Sequence, residues 1–554
     1  MALILRTLSW CLNGDETQGS IYCRKNYDEP IRPEWQVKPE PESMTGVFVP
    51  GSLRNIVLTV RVENTGDDVV DATLSAQEIT SDTAILGSPQ FPTARFPAHQ
   101  TIDVQGSVNP ATLNRFWRTE HRHKQSRIWR WSYTRVIGGQ PVAMGDTLHT
   151  LYFLPQLPAA NSSLWNVQQG PYDENNKACI WTELLDACSE ACDQYAARHG
   201  GQAPATDKEY VEAFAAELNS NPAFHYDVWS GACAYLSYGT SGSAIKLKKY
   251  LRDRQRNFPN YLNCSDCAAI VAAEALAYGI SAYIGHMRNS NRGFLCNPII
   301  AIGCSAWAPP FQGGFSYHAV AVLSAACSET TEIYDACLHL DGGQYPGSQG
   351  PQGKNPLLPI AVPFSDTSVP QVNVPASQPF TKNLYRERLV ADQEVCILEA
   401  QTVAVTEVTP SLALLEKRTV LPGMRTNMEN PLPAADQTPV WKRLSAAPFQ
   451  KLGSWKQIEA YGRYQVYFLT EEDGACIQAS FWAALDREEA WILLQTRICE
   501  ISCPLEPREF ADASYGIGRH FFLFVYGSLI VELNGYGKDI QKLAEKLESC
   551  LRES

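Results

Sequence analysis

The chain has 554 residues, enough for two to four domains, and its 45% apolar and 19% charged content is that of an ordinary globular protein. A net charge of −13 argues against a dedicated nucleic-acid binder, which would carry a basic face. No run of 18 apolar residues occurs, so no membrane-spanning helix is expected.

The opening Met1–Trp10 stretch is apolar but interrupted by Arg6. It has no basic n-region and no small-residue cleavage site, so a signal peptide is not expected. Residues 1–45 are otherwise polar and Pro-rich. Asn55–Gly66 is strand-like, with alternation from Val60, and Val69–Ala76 answers it across a turn at Asn64–Asp68. Further strands are predicted around Ile102–Gln105, Ile128–Val136 and Thr147–Leu154. Short strands with turn signals and no helical period predict an antiparallel β-sandwich over 1–155. Within it, Arg115–Arg135 is basic and aromatic. One reading is an anionic or nucleic-acid surface. The other is a solvated loop beside a strand whose Trp residues enter the sandwich core.

Pro155–Asp173 reads as a joint. Lys177–Arg198 carries apolar residues at three- and four-residue spacing and ends at Gly200-Gly201, which predicts a helix. Thr206-Asp-Lys-Glu209 is a capping box opening a second helix to about Leu218. A third is predicted over Ser243–Arg254, and a fourth follows Asn263 and stops at Gly279. Ser281–His286, Pro298–Gly303, His318–Leu323 and Thr331–Leu338 read as strands. Helices followed by antiparallel strands make 165–345 an α+β unit. Residues 346–439, rich in Pro, Gly, Ser and Gln, read as a linker or a segment covering that unit, and the Leu389–Glu407 pattern within them could complete its sheet. Residues 440–554 predict a second α+β domain. Its strands are Tyr464–Leu469, Ile477–Trp482, Trp491–Gln495 and Phe521–Leu533, and its amphipathic helix is Lys538–Leu551.

The chemistry centres on Asn263-Cys-Ser-Asp-Cys267. Cys264 begins a helix, where unpaired backbone N–H groups and the dipole favour a thiolate, as a cysteine nucleophile requires. His318 opens an apolar strand and Asp335 lies on the next. Cys264 could instead be a buried structural thiol. Cys264 and Cys267 form a Cys-x-x-Cys that redox or zinc chemistry could use. Zinc needs a second pair, and Cys188/Cys192 and Cys499/Cys503 are spaced for burial, so no metal or cofactor is expected. Cys267 reads as core and Asp266 as a helix cap. His286 is a second candidate base, and His339 falls outside the pattern. The 17 cysteines are odd in number and scattered, which fits reduced thiols and a cytoplasmic location, with specialised secretion left open.

Asn-Cys264-Ser-Asp266-Cys-Ala, a helix, and then Tyr-Gly279-Ile-Ser-Ala-Tyr283 resembles the nucleophile segment of transglutaminase-like cysteine enzymes. His318-Ala and Ile-Tyr-Asp335 are similar to that superfamily's strand-borne His and Asp, in the same order. The resemblance covers about 175–345. The chain departs from the pattern at Leu262, where the family often has Gly, at Val320, where it often has Trp, and at Ala336, where it often has Pro. The N-terminal part loosely resembles immunoglobulin-like modules. The resemblance implies a papain/transglutaminase-like core, α+β, flanked by the N-terminal β-sandwich and the C-terminal α+β domain. It implies a Cys264–His318–Asp335 triad acting through a thioacyl intermediate on protein or peptide amides. Trp229 matches the family's oxyanion-donor Trp by distance and by its Trp-x-Gly setting, and is otherwise a core Trp. Crosslinking, deamidation and proteolysis remain open. The alternative from another class is a non-catalytic scaffold on the same core.

Overall fold

A computed structural model of the chain describes residues 3–10, 20–21, 23–25, 29–31, 34–36, 44–51, 56–79, 87–109, 111, 114, 117, 123–158, 180–239, 242–255, 260–289, 293–308, 310–340, 360–365, 385–390, 395–397, 400–405, 455–461, 464–470, 476–484 and 486–553. Contacts divide it into two units, Met1–Phe214 with Glu274–Ser281 and Ala215–Ala273 with Ala282–Ser554.

In the first unit the alternating runs form two sheets. One is antiparallel, in the order Glu34–Gln36, Leu3–Ser9, Ile56–Asn64, Thr101–Val108. The other runs Met44–Phe48, Val142–Phe153, Lys124–Arg135, Val70–Glu78, Thr93–Phe96, antiparallel except for the parallel pair at the Met44–Phe48 edge. Along Val70–Glu78 burial alternates with the pleat, and Val70, Ala72, Leu74 and Ala76 point inward. They meet Leu8, Val60 and Val62 of the opposite sheet in one core. Trp129 and Trp131 are fully buried in that core. Of the basic residues beside them, Arg127 pairs with Glu78 at 2.9 Å and Arg130 with Asp146 at 3.2 Å. The basic positions at 115, 118 and 122 lie outside the described residues.

Helix α1 (Thr182–Arg198) buries Leu184, Leu185, Cys188, Cys192 and Tyr195, the stripe its spacing predicts. Helix α2 (Asp207–Ser220) starts at the predicted capping box. Glu209 N donates to Thr206 Oγ1 at 3.3 Å, and Thr206 N donates back to Glu209 Oε2 at 2.9 Å.

In the second unit, Gly242–Ile245 is a strand and helix α3 covers only Leu247–Arg254. The single helix expected over Ser243–Arg254 is therefore corrected. Gly242–Ile245 has ladder partners on both sides, Leu236–Gly239 and Val403–Val405, and tertiary pairing overrides local preference. Helix α4 (Cys264–Ala277) is small-residue and apolar on every side because it is buried on nearly every side. Gly279, at φ +79°, ends it.

The central sheet is antiparallel, in the order Ile360–Pro363, Glu332–Tyr334, His318–Val322, Tyr283–Arg288, Cys396–Ile397. Two of its strands come from the Pro-rich stretch, which also supplies helix α5 (Tyr385–Leu389). The strand expected at Pro298–Gly303 is only Ile300–Ala301.

The C-terminal piece is a seven-stranded antiparallel sheet. Its order is Lys456–Tyr461, Tyr464–Thr470, Cys476–Ala483, Leu529–Asn534, Phe521–Tyr526, Ala513–Ile517, Glu506–Arg508. The strand expected at Trp491–Gln495 is instead part of helix α6 (Arg487–Cys499). Asp486 caps it by accepting from Glu489 N at 2.8 Å, and Ala490 and Leu494 bury at four-residue spacing. Helix α7 (Gln541–Glu553) lays Ala544, Leu547 and Leu551 on the sheet core.

Candidate active site

Asn263 is the N-cap of α4. Its Oδ1 accepts from Asp266 N at 3.0 Å, and Asp266 Oδ2 accepts from Asn263 N at 3.2 Å. Cys264 therefore occupies the first helical position. Asp266 does more than cap. Its carboxylate also accepts from the backbone N–H of Ala234, Tyr235 and Leu236 at 2.7, 2.8 and 2.7 Å. Burial raises its pKa above the usual carboxylate value, against those four amide bonds, which lower it. Asp266 is thus a clamp between the start of α4 and residues 234–236, and it takes no part in the His318 cluster.

The side chains around His318 converge from three elements. Met287 of the neighbouring strand is the register partner of His318, which opens its own strand. Asp335 follows the adjacent strand Glu332–Tyr334. His318 Nε2 donates to Asp335 Oδ2 at 2.9 Å, with both side chains closed from solvent. Asp335 is held from two further directions. Tyr385 Oη donates to Oδ2 at 2.5 Å, and Cys337 N and Sγ donate to Oδ1 at 2.9 and 3.0 Å. His318 Nδ1 makes no hydrogen bond of good geometry. The sulfur of Cys264 is close enough to act on His318 electrostatically.

Electrostatics follow from this packing. Burial opposes the imidazolium, but the Asp335 carboxylate and the Cys264 sulfur outweigh it, and the pKa of His318 is pushed up to about 10. Burial likewise opposes the Asp335 carboxylate, while His318, Tyr385 and Cys337 together hold its pKa below the ordinary value. Burial pushes the Cys267 thiol up to about 11, with a Cys337 hydrogen bond acting the other way. His286, on the next strand, is driven down to about 3 by burial, with the Arg288 and His318 charges adding to it. A neutral His286 on a sheet strand makes no contribution as an ion. His339 bonds to Asn219 Oδ1, away from the cluster.

Trp229 does not join these residues. It is 44% exposed and stands edge-on to His520 at 5.6 Å between ring centroids. The turn explains this. Asp227 Oδ1 accepts from Trp229 N and Ser230 N at 3.1 and 2.9 Å, and Gly231, at φ +61°, completes the reversal. That glycine is required sterically, since a Cβ would stand 2.0 Å from Ser502 Oγ.

One group of donors is close enough to hold a metal ion: His318, Asp335 and Cys337, within 4.8 Å of one another among the described residues. His318 and Cys337 both already donate hydrogen bonds to the Asp335 carboxylate. The cluster is therefore satisfied as a hydrogen-bonded network.

Sequence reasoning missed Tyr385 and Cys337. Tyr385 lay in a stretch read as linker or cover, and Cys337 carried no motif. It also missed Tyr226. This side chain is 1% exposed on strand Phe224–Tyr226, directly opposite Leu262.

No protein-family model matches the chain, and no curated protein does. Among solved structures, red sea bream transglutaminase aligns at 10% identity and TM-score 0.26, over 59% of this chain and 52% of that one. This chain thus spans about half the length of that enzyme. A FixG-related protein from Vibrio parahaemolyticus aligns at 10% identity and TM-score 0.12, over 18% of this chain and 78% of that one. Similarity this low bears on neither fold nor function.

Proposed function

We propose that the protein is a transglutaminase-like cysteine enzyme acting on protein or peptide amides through a Cys264–His318–Asp335 triad. One observation carries this reading. The buried His318 Nε2–Asp335 pair at 2.9 Å leaves Nδ1 for Cys264, at the first position of α4. The roles follow from chemistry. His318 takes the thiol proton at Nδ1 before the attack and holds it as the imidazolium that its raised pKa favours; the Cys264 sulfur then attacks the carbonyl carbon and Nδ1 passes the proton to the departing amine. Asp335 fixes the imidazole tautomer and stabilises the imidazolium. Tyr385 and Cys337 fix Asp335. The thioester then meets an amine or water, and the acceptor decides between crosslinking, deamidation and proteolysis.

The test is intact-mass analysis after incubation with a glutamine-peptide library and a small primary amine. A gain of the amine less one ammonia, a gain of one mass unit and chain cleavage separate the three reactions, and each should vanish in Cys264→Ala. No product from the unmodified chain would count against the reading.

A second reading, a non-catalytic scaffold on the same core, draws on the closure of the site. Cys264, His318 and Asp335 are at most 1% exposed. Iodoacetamide near neutral pH separates the two readings, since a thiol closed permanently from solvent would not alkylate.

A further inference from the structure

We infer that the Tyr226 hydroxyl, and not Trp229, is the side-chain donor to the oxyanion that forms when Cys264 attacks a carbonyl. The inference rests on the catalytic reading of Cys264 above. Its own support is geometric. Strand Phe224–Tyr226 runs parallel to Asn260–Leu262, and their register sets Tyr226 beside Leu262, two residues before the nucleophile. The ring is closed from solvent, and Tyr226 Oη finds no hydrogen-bond partner of good geometry. A buried hydroxyl left that way calls for an explanation. Of the sulfurs that act on it electrostatically, Cys264 acts most strongly, ahead of Cys337 and Cys267. Two buried polar atoms without a well-formed hydrogen bond, Tyr226 Oη and His318 Nδ1, thus both engage one sulfur.

The two atoms suit different jobs. His318 Nδ1 carries the proton that goes to the leaving group, since the ring is pushed up to about 10 and Nε2 is committed to Asp335. Tyr226 keeps its proton at working pH and so can donate it in a hydrogen bond, because burial and the Cys264 charge raise its pKa well above the usual phenol value. In the step itself, the S–C bond forms and the carbonyl π pair moves onto oxygen. That oxygen lies two bonds from sulfur, so a donor poised at the sulfur is poised at the oxyanion. When the pair returns, the bond to the leaving group breaks and the thioester remains.

Two small electrophiles separate oxyanion stabilisation from thiol reactivity. Acylation by p-nitrophenyl acetate passes through an oxyanion and releases p-nitrophenolate. Alkylation by iodoacetamide displaces iodide and forms no oxyanion. In the full chain, Tyr226→Phe should slow acylation by roughly 10²- to 10³-fold, the range for losing one oxyanion donor. It should leave the iodoacetamide rate within about twofold, which also reports an intact site. Trp229→Phe should change neither. Should Tyr226→Phe fail to fold, 3-fluorotyrosine at 226 keeps the shape and strengthens the donor, so acylation alone should speed up. Equal acylation by Tyr226→Phe and the unmodified chain overturns the inference, as does an equal loss in both reactions, which would mean that Tyr226 tunes the thiol. If Cys264 in the unmodified chain reacts with neither probe, the catalytic reading falls and takes this inference with it.

Discussion

At the scale of the residue, the His318–Asp335 pair sets a measurable pH dependence. The folded pKa of His318, about 10, lies above its ordinary value of 6.5. Its contribution to stability is therefore complete below about pH 6.5 and is lost as pH rises toward 10. Asp335 is shifted down, so its contribution is present above its ordinary carboxylate pKa and is lost as pH falls below it. Urea unfolding of the unmodified chain and of His318→Gln should show a gap that narrows steadily from pH 6.5 to 10. A gap constant over that range would contradict a charged His318. His318→Ala should also lower turnover by at least about 10²-fold, with Asp335→Asn milder, as kcat/KM would show. The pairing of His318 with Asp335 was legible because the two stand on successive apolar strands, which an antiparallel sheet sets side by side. Tyr226 and Tyr385 were not, because a tyrosine near a sulfur or a carboxylate has no marker in the sequence and only pairing in space picks it out. Trp229 shows the converse. Its distance from Cys264 along the chain fitted a donor, and an Asp227 turn two residues earlier sent the ring elsewhere.

At the scale of the element, the start of α4 is held by Asp266 more than by helix propensity. Four backbone N–H groups, three of them buried, end on that carboxylate. In Asp266→Ala all four lose their acceptor. Each stranded donor costs about 1–3 kcal/mol, and with relaxation the total should be about 3–5 kcal/mol in urea unfolding. Asp266→Asn keeps an acceptor oxygen and should cost less; equal losses in the two variants would mean that the shape of the side chain matters and its hydrogen bonds do not. Elements with a strong local code were readable. The apolar stripe of α1 and the Thr206/Glu209 box of α2 both lie where periodicity and capping put them. Two-residue strands such as Ile300–Ala301 and Cys396–Ile397 exist because a partner strand is present, and no window that short carries a period. Helix α6 misled for a related reason. Trp491-Ile-Leu-Leu reads as a strand until the Asp486 cap is weighed.

At the scale of the whole molecule, the site depends on distant chain. Asn263 Nδ2 donates to Gly231 O at 2.7 Å and to Glu500 O at 3.2 Å. Ser502 O accepts from Ser316 N at 2.8 Å, and Ser502 N donates to Gly231 O at 2.9 Å. Arg497 donates to Cys233 O at 2.7 Å and pairs with Glu532. Residues 497–502 thus tie together the cap of α4, the 231–233 loop and the approach to His318. The Pro-rich stretch adds both edge strands of the central sheet, and Tyr385 bonds to Asp335. Joints rich in Pro fit modules that fold apart, and the sequence alone allows either a self-sufficient piece at about 165–350 or one whose sheet the Leu389–Glu407 stretch completes. The contacts argue for the second. Such a fragment lacks Ile360–Pro363 and Cys396–Ile397, exposing both edges of the His318 sheet; Asn263 loses Glu500 O, Gly231 O loses Ser502 and Asp335 loses Tyr385. The fragment should aggregate, or show no cooperative urea transition, and its Cys264 should lose the selective reaction with iodoacetamide. A full-length chain carrying a protease site inserted near position 425 is the complementary sample. After cleavage the two pieces should co-elute in gel filtration and keep the full-chain rate of Cys264 alkylation, because the ties run through contacts and not through that peptide bond. A soluble 165–350 fragment that unfolds cooperatively and alkylates at the full-chain rate would show that the strap at 497–502 and the edge strands are dispensable to the site.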